Sequence, residues 1–226
     1  MYDGQRKERL TFLKAEIQPA HADVLLFACC LCSGLVDSTL YNAYNTFVSM
    51  QTGNTIFVGS FIFARLNRLF GPKKRGTLIL SFGLQVVMLI LTACLVQSGV
   101  IAGLPLHNLA TAEPDWTQEV PIVLLSIQSA GQIVASRALG YNEIPTVVIT
   151  SLLCDLMSDP KLFLLRNEKR DRRIIAFVLT LVGAIAGGWI TKGTGDIYAA
   201  LWIAAGIKLG IASAWLFWKE ELDLST

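Results

Sequence analysis

The sequence predicts an all-α integral membrane protein: a bundle of six to seven transmembrane helices with one broken or re-entrant segment. Three observations carry that prediction. Hydrophobic residues make up 53% of the 226 and charged residues only 16%, with a mean hydropathy of +0.53; soluble domains carry about 25% charged residues. Most of the Lys and Arg fall in three clusters, at residues 6–14, 65–75 and 161–173. Between the clusters run apolar stretches of roughly 16–25 residues, the length a helix needs to cross a hydrocarbon core of about 30 Å. An open strand edge would leave unpaired backbone groups in lipid, and nothing here alternates at period two, so the spans are helices.

In chain order, residues 1–22 are polar and are expected to form a cytosolic tail. Residues 23–218 form the transmembrane domain, and 219–226 a short C-terminal tail. The first apolar stretch, from Asp23, has no small-residue cleavage site before Asp37, so it reads as an uncleaved signal anchor. Candidate helices follow at 23–43, 45–66, 76–99, 119–138, 143–158, 173–191 and 197–218. Trp116, Trp189, Tyr198, Trp202, Trp215 and Trp218 lie near predicted helix ends, where an interfacial aromatic belt belongs. Gly183-x-x-x-Gly187 and Gly206-x-x-x-Gly210 offer small faces for close helix packing. No Asn-x-Ser/Thr acceptor occurs.

The charges choose between seven crossings and six. Seven would put the basic loop 159–172 outside with Lys219, so that 7 loop Lys and Arg lie outside against 11 inside. If the segment 143–158 leaves and returns on one side, Lys208 lies inside a span, Lys192 stands alone outside, and the other 17 of the 19 Lys and Arg share the cytosolic side. The positive-inside rule prefers that arrangement. Segment 143–158 is also the weakest span, with Glu143, Pro145 and Asp155; irregular backbone at membrane depth needs cover from protein or water. The two halves echo each other. Gly34-Leu-Val-Asp37 precedes Met50-Gln-Thr-Gly-Asn-Thr55, as Gly131-Gln-Ile-Val-Ala-Ser-Arg137 precedes Pro145-Thr-Val-Val-Ile-Thr-Ser151. An internal three-helix repeat would produce such an echo, and paired interruptions of this kind mark transporter sites.

The polar residues inside the spans are the candidate site. Asp37 lies deep in the first span, where a charge costs about 2.5–3.5 kcal/mol. Asp155 and Lys208 pose the same problem in the fifth and last segments. A Lys208–Asp pair would relieve both charges, either as a fixed ion pair that orients helices or as a titrating carboxylate in a solute path. Gln51, Thr52, Gly53 and Asn54 form the densest polar cluster, a ligand-lined break or an interhelical clamp. Gln128 and Gln132, with Asn42, Asn45 and Gln85 in support, are helix clamps or path contacts.

Other chemistry is absent from the pattern. His21 and His107 lie outside the spans and suggest no metal pair, and no metal is expected. Cys29, Cys30, Cys32, Cys94 and Cys154 are odd in number and sit in apolar stretches, where they read as packing residues. No H-E-x-x-H, G-x-S-x-G or Walker A pattern occurs, Ser126 and Ser129 have no His to activate them, and neither enzymatic activity nor a cofactor is expected. The basic residues form short loop clusters, so the partners expected are the lipid bilayer and a small solute, not nucleic acid. With so few helices around a path, a homodimer is one expected assembly.

Six stretches carry a resemblance: Cys32-Ser-Gly-Leu-Val-Asp37, Phe47-Val-Ser-Met-Gln-Thr-Gly-Asn-Thr55, Gly71-Pro-Lys-Lys-Arg-Gly76, the run from Gln128 to Thr146, Cys154-Asp-Leu-Met-Ser-Asp-Pro-Lys161 and Leu201-Trp-Ile-Ala-Ala-Gly-Ile-Lys208. Together they resemble the fungal branch of the YoaK-type family of multi-pass membrane proteins, a domain of unknown function. The resemblance spans about residues 22–219; it implies a location and a helical architecture, and no substrate. One departure stands out. The family pattern implies a loop and a further helix between the Thr-Gly-Asn segment and the basic turn, whereas here Thr55-Ile-Phe-Val-Gly59 runs directly into Ser60-Phe-Ile-Phe-Ala-Arg65. The stretch from Gly59 to Gly76 is also faintly similar to the basic cytoplasmic loop of major-facilitator carriers. The leading functional expectation is a carrier or permease for a small polar solute or ion, in a plasma or organelle membrane; the alternative is a non-transporting scaffold or assembly factor.

Overall fold

The structure, a computed structural model, describes residues 2–50, 55–103, 116–164 and 166–220. Among the described residues it has eight α-helices and no strand: α1 (Tyr2–Lys14), α2 (Asp23–Tyr44), α3 (Thr55–Phe70), α4 (Arg75–Gln97), α5 (Glu119–Ala138), α6 (Ile149–Met157), α7 (Glu168–Thr194) and α8 (Tyr198–Ala214). Four of them, α2, α4, α5 and α7, are long and apolar enough to cross a membrane, while α8 is apolar but shorter.

Local chemistry sets the breaks. α2 ends at Asn45, which takes the left-handed conformation (φ 53°) and donates its N–H to the Tyr41 carbonyl; Asn tolerates that conformation better than most residues. The chain then makes a 3₁₀ turn, Val48–Met50, and α3 begins only at Thr55. The single helix expected over 45–66 is therefore shorter and starts later. Gly71, with φ 95°, ends α3, and Pro72 precedes the start of α4 at Arg75. At the start of α7 the Asn167 side chain accepts the Arg170 N–H, as an N-cap residue does.

Ion pairs and hydrogen bonds bring the helix ends together. Arg172 at the start of α7 bonds Asp23 at the start of α2 (3.2 Å) and Glu143 just after α5 (2.9 Å). The Tyr141 hydroxyl donates to the Pro19 carbonyl. Arg75 at the start of α4 meets the segment after α8: it is buried, it pairs with Glu220 (2.7 Å), and it donates to the Trp218 carbonyl (2.6 Å). The same guanidinium lies 4.0 Å over the Phe12 ring of α1. One end of the molecule thus collects the starts of α2, α4 and α7 and the ends of α3, α5 and α8. The segment between α1 and α2 packs at this end too, where Ile17 bridges to Glu220 and Glu16 to Lys74.

Segment 139–158 leaves this end and comes back to it. Glu143 is held there by Arg172, Val147 to Thr150 lie at mid-depth beside Gly34 of α2 and Thr180 of α7, and Asp159 is back beside Arg173 (3.3 Å). Thr146 turns the chain with φ 58°, a conformation a β-branched residue rarely adopts. The Ser136 hydroxyl holds the return by meeting the Tyr141 and Ile144 carbonyls. The segment thus starts and finishes at one end of the bundle, the geometry that a re-entrant segment would have. The basic clusters at 65–75 and 161–173 lie at the same end.

Packing follows the small residues unevenly. α2 and α7 run together from Asp23–Arg172 to Asn42–Gly188. A Cβ on Gly183 would collide with the Leu31 carbonyl, one on Gly34 with the Thr180 carbonyl, and one on Gly187 would come within 2.6 Å of the Leu35 carbonyl. The predicted Gly183/Gly187 face is thus used for backbone contact. The Gly206/Gly210 face is not: a Cβ at either position would meet nothing. On α8 it is Lys208, Ala204, Ala205, Ile211 and Ala212 that turn inward.

Candidate functional site

Two features lie inside the bundle at different levels, and each forms around one buried ionisable side chain. The first is a crevice of about 430 Å³. Its walls come from α2 (Gly34, Asp37, Tyr41), the 3₁₀ turn, Val147 to Thr150, and α7 (Phe177, Thr180, Ala184). The 3₁₀ turn that follows α2 and the Val147–Thr150 stretch, one from each half of the chain, therefore meet at one cavity. Asp37 is buried, and its Oδ1 accepts the backbone N–H of Ser49 at 2.9 Å, so the carboxylate anchors the turn that forms one wall. Among the described residues it makes no ion pair. Tyr41 and Phe47 stack with ring centroids 4.5 Å apart at the same cavity.

The second feature is a closed layer around Lys208, which is fully buried. Its Nζ donates to Gln85 Oε1 at 2.7 Å, to Gln132 Oε1, and to Cys29 Sγ at 3.7 Å, and it lies 5.3 Å from the Phe82 ring centre. An ammonium has three donors, and three acceptors from α2, α4 and α5 use them. Gln132 passes its own N–H on to the Ser33 hydroxyl. An apolar cluster lies on either side of the layer, one around Leu40, Leu89, Leu125 and Leu201 and the other around Leu26, Phe82, Ile144 and Trp215.

The expected Lys208–Asp pair is therefore corrected. No carboxylate reaches Lys208 among the described residues; amide oxygens, a thiol and a ring face stand in for it. Asp37 faces the crevice instead, and Asp155 is exposed on the short α6. Gln132 belongs to the Lys208 layer. Gln128 is buried next to it on α5, with its N–H on the Ser129 hydroxyl (3.2 Å) and its Oε1 without a partner among the described residues. Gln51, Thr52, Gly53 and Asn54 lie outside the described residues. Cys29, read from sequence as packing only, is a ligand of the ammonium, and Ser49 and Ser33 were not singled out at all. Ser49 follows the end of α2, four residues beyond Asn45; that helix break was its one signal. Arg75 was counted as a loop charge but is the buried centre of the basic end.

Outside the spans, Asp159 is held below the usual carboxylate range, first by the Asn167 amide and the Lys161 N–H, and then by Arg173.

Comparison with known proteins adds the lineage. The transmembrane protein YoaK of Bacillus subtilis (strain 168) is 28% identical over 226 aligned residues, which cover 85% of this chain and 93% of YoaK. No solved structure matches. A family described as "Protein of unknown function (DUF1275)" matches residues 25–60 and 57–214, two stretches that meet at the Gly59-Ser60 junction. With long apolar helices and a match over most of its length, the chain is a multi-pass integral membrane protein that belongs to the DUF1275 family.

Proposed function

We propose that the protein is a carrier that moves a small solute across the membrane through the Asp37 crevice. One observation carries this reading: the 3₁₀ turn after α2 and the Val147–Thr150 stretch, one from each half of the chain, meet around a carboxylate that no cation among the described residues neutralises. A purely structural carboxylate would be stabler paired, since an unpaired charge at this depth is costly. A cavity between broken helices is where carriers bind solute and coupling ion. The working topology is six crossings (α2, α3, α4, α5, α7 and α8), with 139–158 re-entrant and the basic end cytosolic, in keeping with the charge bias.

A second reading, a non-transporting scaffold, draws on the Lys208 layer, which is closed and holds helices rather than solute. Uptake separates the two. The purified protein in proteoliposomes should accumulate members of a metabolite panel, with a pH gradient changing the rate, and Asp37→Asn should abolish the uptake. Uptake no faster than in empty liposomes across the panel would leave the scaffold. Topology is tested by Leu69→Cys and Phe163→Cys, both at exposed positions, in a background lacking the exposed Cys94 and Cys154. An impermeant thiol reagent should reach both from the same side, and labelling from opposite sides would overturn six crossings.

A further inference from the structure

We infer that the Asp37 crevice selects a lipophilic monocation: an organic cation with an apolar body of roughly the size of its cavity. The inference rests on the carrier reading for its site and goes beyond it in naming the chemistry of the solute.

Charge comes first. Asp37 is the one carboxylate among the described residues lining the cavity, and no described Lys, Arg or His lines it. An anion would face Asp37 with no counter-charge, in surroundings where burying an uncompensated charge is expensive. A cation would neutralise Asp37 and replace the partner it lacks. One carboxylate balances one positive charge, so a monocation fits and a polycation would leave charge unmatched.

Wall chemistry then decides what kind of cation. Phe47, Met50, Val147, Ile149, Phe177 and Leu181 make most of the surface apolar. Hard metal cations want six or more oxygen ligands closing around them, and a cavity of about 430 Å³ with a handful of hydroxyls does not close. Sugars and other polyhydroxy solutes would leave most of their donors unpaired. An apolar body fits these walls, and the volume falls in the usual range for small-molecule sites, about 300–1,000 Å³.

The aromatic pair supplies the third element. Tyr41 and Phe47 stack at the cavity beside Asp37, and both are partly open, at 45% and 37% exposure. A ring face attracts a cation that has shed its water, and a diffuse, weakly hydrated charge sheds it most readily. Carboxylate, ring faces and apolar walls together recognise a quaternary ammonium, a phosphonium or a protonated hydrophobic amine.

Two ions of the same shape and opposite charge test this. Tetraphenylphosphonium and tetraphenylborate are measured by equilibrium dialysis against the full-length protein in nanodiscs, with binding to empty nanodiscs subtracted. Tetraphenylphosphonium should bind saturably and tetraphenylborate should not. Asp37→Asn keeps the acceptor for Ser49 and should weaken the cation about tenfold or more, the worth of one hydrogen-bonded charge. Tyr41→Leu, which keeps an apolar wall but removes the ring, should weaken it several-fold. Equal binding of the two ions, or unchanged cation affinity in Asp37→Asn, overturns the inference. The result is separable from the carrier reading. Saturable cation binding without uptake of any solute would sink transport and keep the site's chemistry. Asp37-dependent uptake of a neutral or anionic solute would do the reverse.

Discussion

Lys208, which meets α2 at Cys29, and Asp37, eight residues further along that helix, are two charges inside one bundle, and the fold treats them in opposite ways. Around Lys208 every ammonium donor has an acceptor, the side chain sees no solvent, and apolar clusters seal the layer on both sides. Around Asp37 one oxygen anchors a turn while the group faces an open cavity with no counter-ion among the described residues. A buried cation can be accommodated by neutral dipoles when enough of them converge. A buried anion left facing a cavity is poised to meet something that is not part of the chain.

If that contrast is right, substitutions in the closed layer should damage the fold, and those in the crevice should damage only function. Lys208→Ala has the largest expected effect on stability. It opens a cavity and strips Gln85 and Gln132 of their donor, a loss on the order of 3–5 kcal/mol, read by SDS titration in mixed micelles. A loss under about 1 kcal/mol would mean that the layer is not closed. Next comes the α2–α7 contact. Gly183→Ala should cost about 1–3 kcal/mol through backbone overpacking, whereas Gly206→Ala, facing open space, should be neutral or stabilising by up to about 1 kcal/mol through helix propensity. Equal effects at the two glycines would contradict the packing described.

Asp37→Asn should change stability by under about 1 kcal/mol, since the amide oxygen can still accept from Ser49, while solute uptake is lost. Loss of fold and uptake together would make Asp37 structural and erase the contrast. The smallest effect concerns Asp159. Its carboxyl sits below the usual range in the folded protein, so the folded state releases that proton more readily than the unfolded one. Its contribution is complete above the ordinary value of about 3.9 and is lost as pH falls through the lowered one. Limited proteolysis near Phe163 should therefore rise as pH drops below about 4, and Asp159→Asn should make cleavage insensitive to pH in that window.

How much of this was legible in the sequence depended on range. The long spans were readable because crossing lipid demands a length and a composition that no tertiary contact alters. The sequence preferred a segment 143–158 that returns to its own side because seven crossings would put 7 Lys and Arg outside against 11 inside. The partners of Lys208 were not readable: they lie 123, 76 and 179 residues away, and charge complementarity alone favoured an aspartate over two glutamines. The two glycine pairs show the same limit. A small-xxx-small spacing says that a backbone can approach, and only the path of the neighbouring helix says whether one does. The start of α3 moved because Asn45 and the turn anchored by Asp37 interrupt a pattern that hydropathy alone reads as continuous.

The Arg75 knot also has a consequence in time. Its counter-ion Glu220 is synthesised 145 residues after it, and the Trp218 carbonyl 143 residues after it. At roughly 5–20 residues per second, the guanidinium waits many seconds at the membrane surface with Phe12 as its nearest preformed neighbour. Until α8 has been made and threaded back, the basic end cannot close. The knot therefore closes only once the end of α8 has come back to this end of the bundle, and a chain cut before Trp218 would carry an unburied arginine where the finished protein has a sealed one.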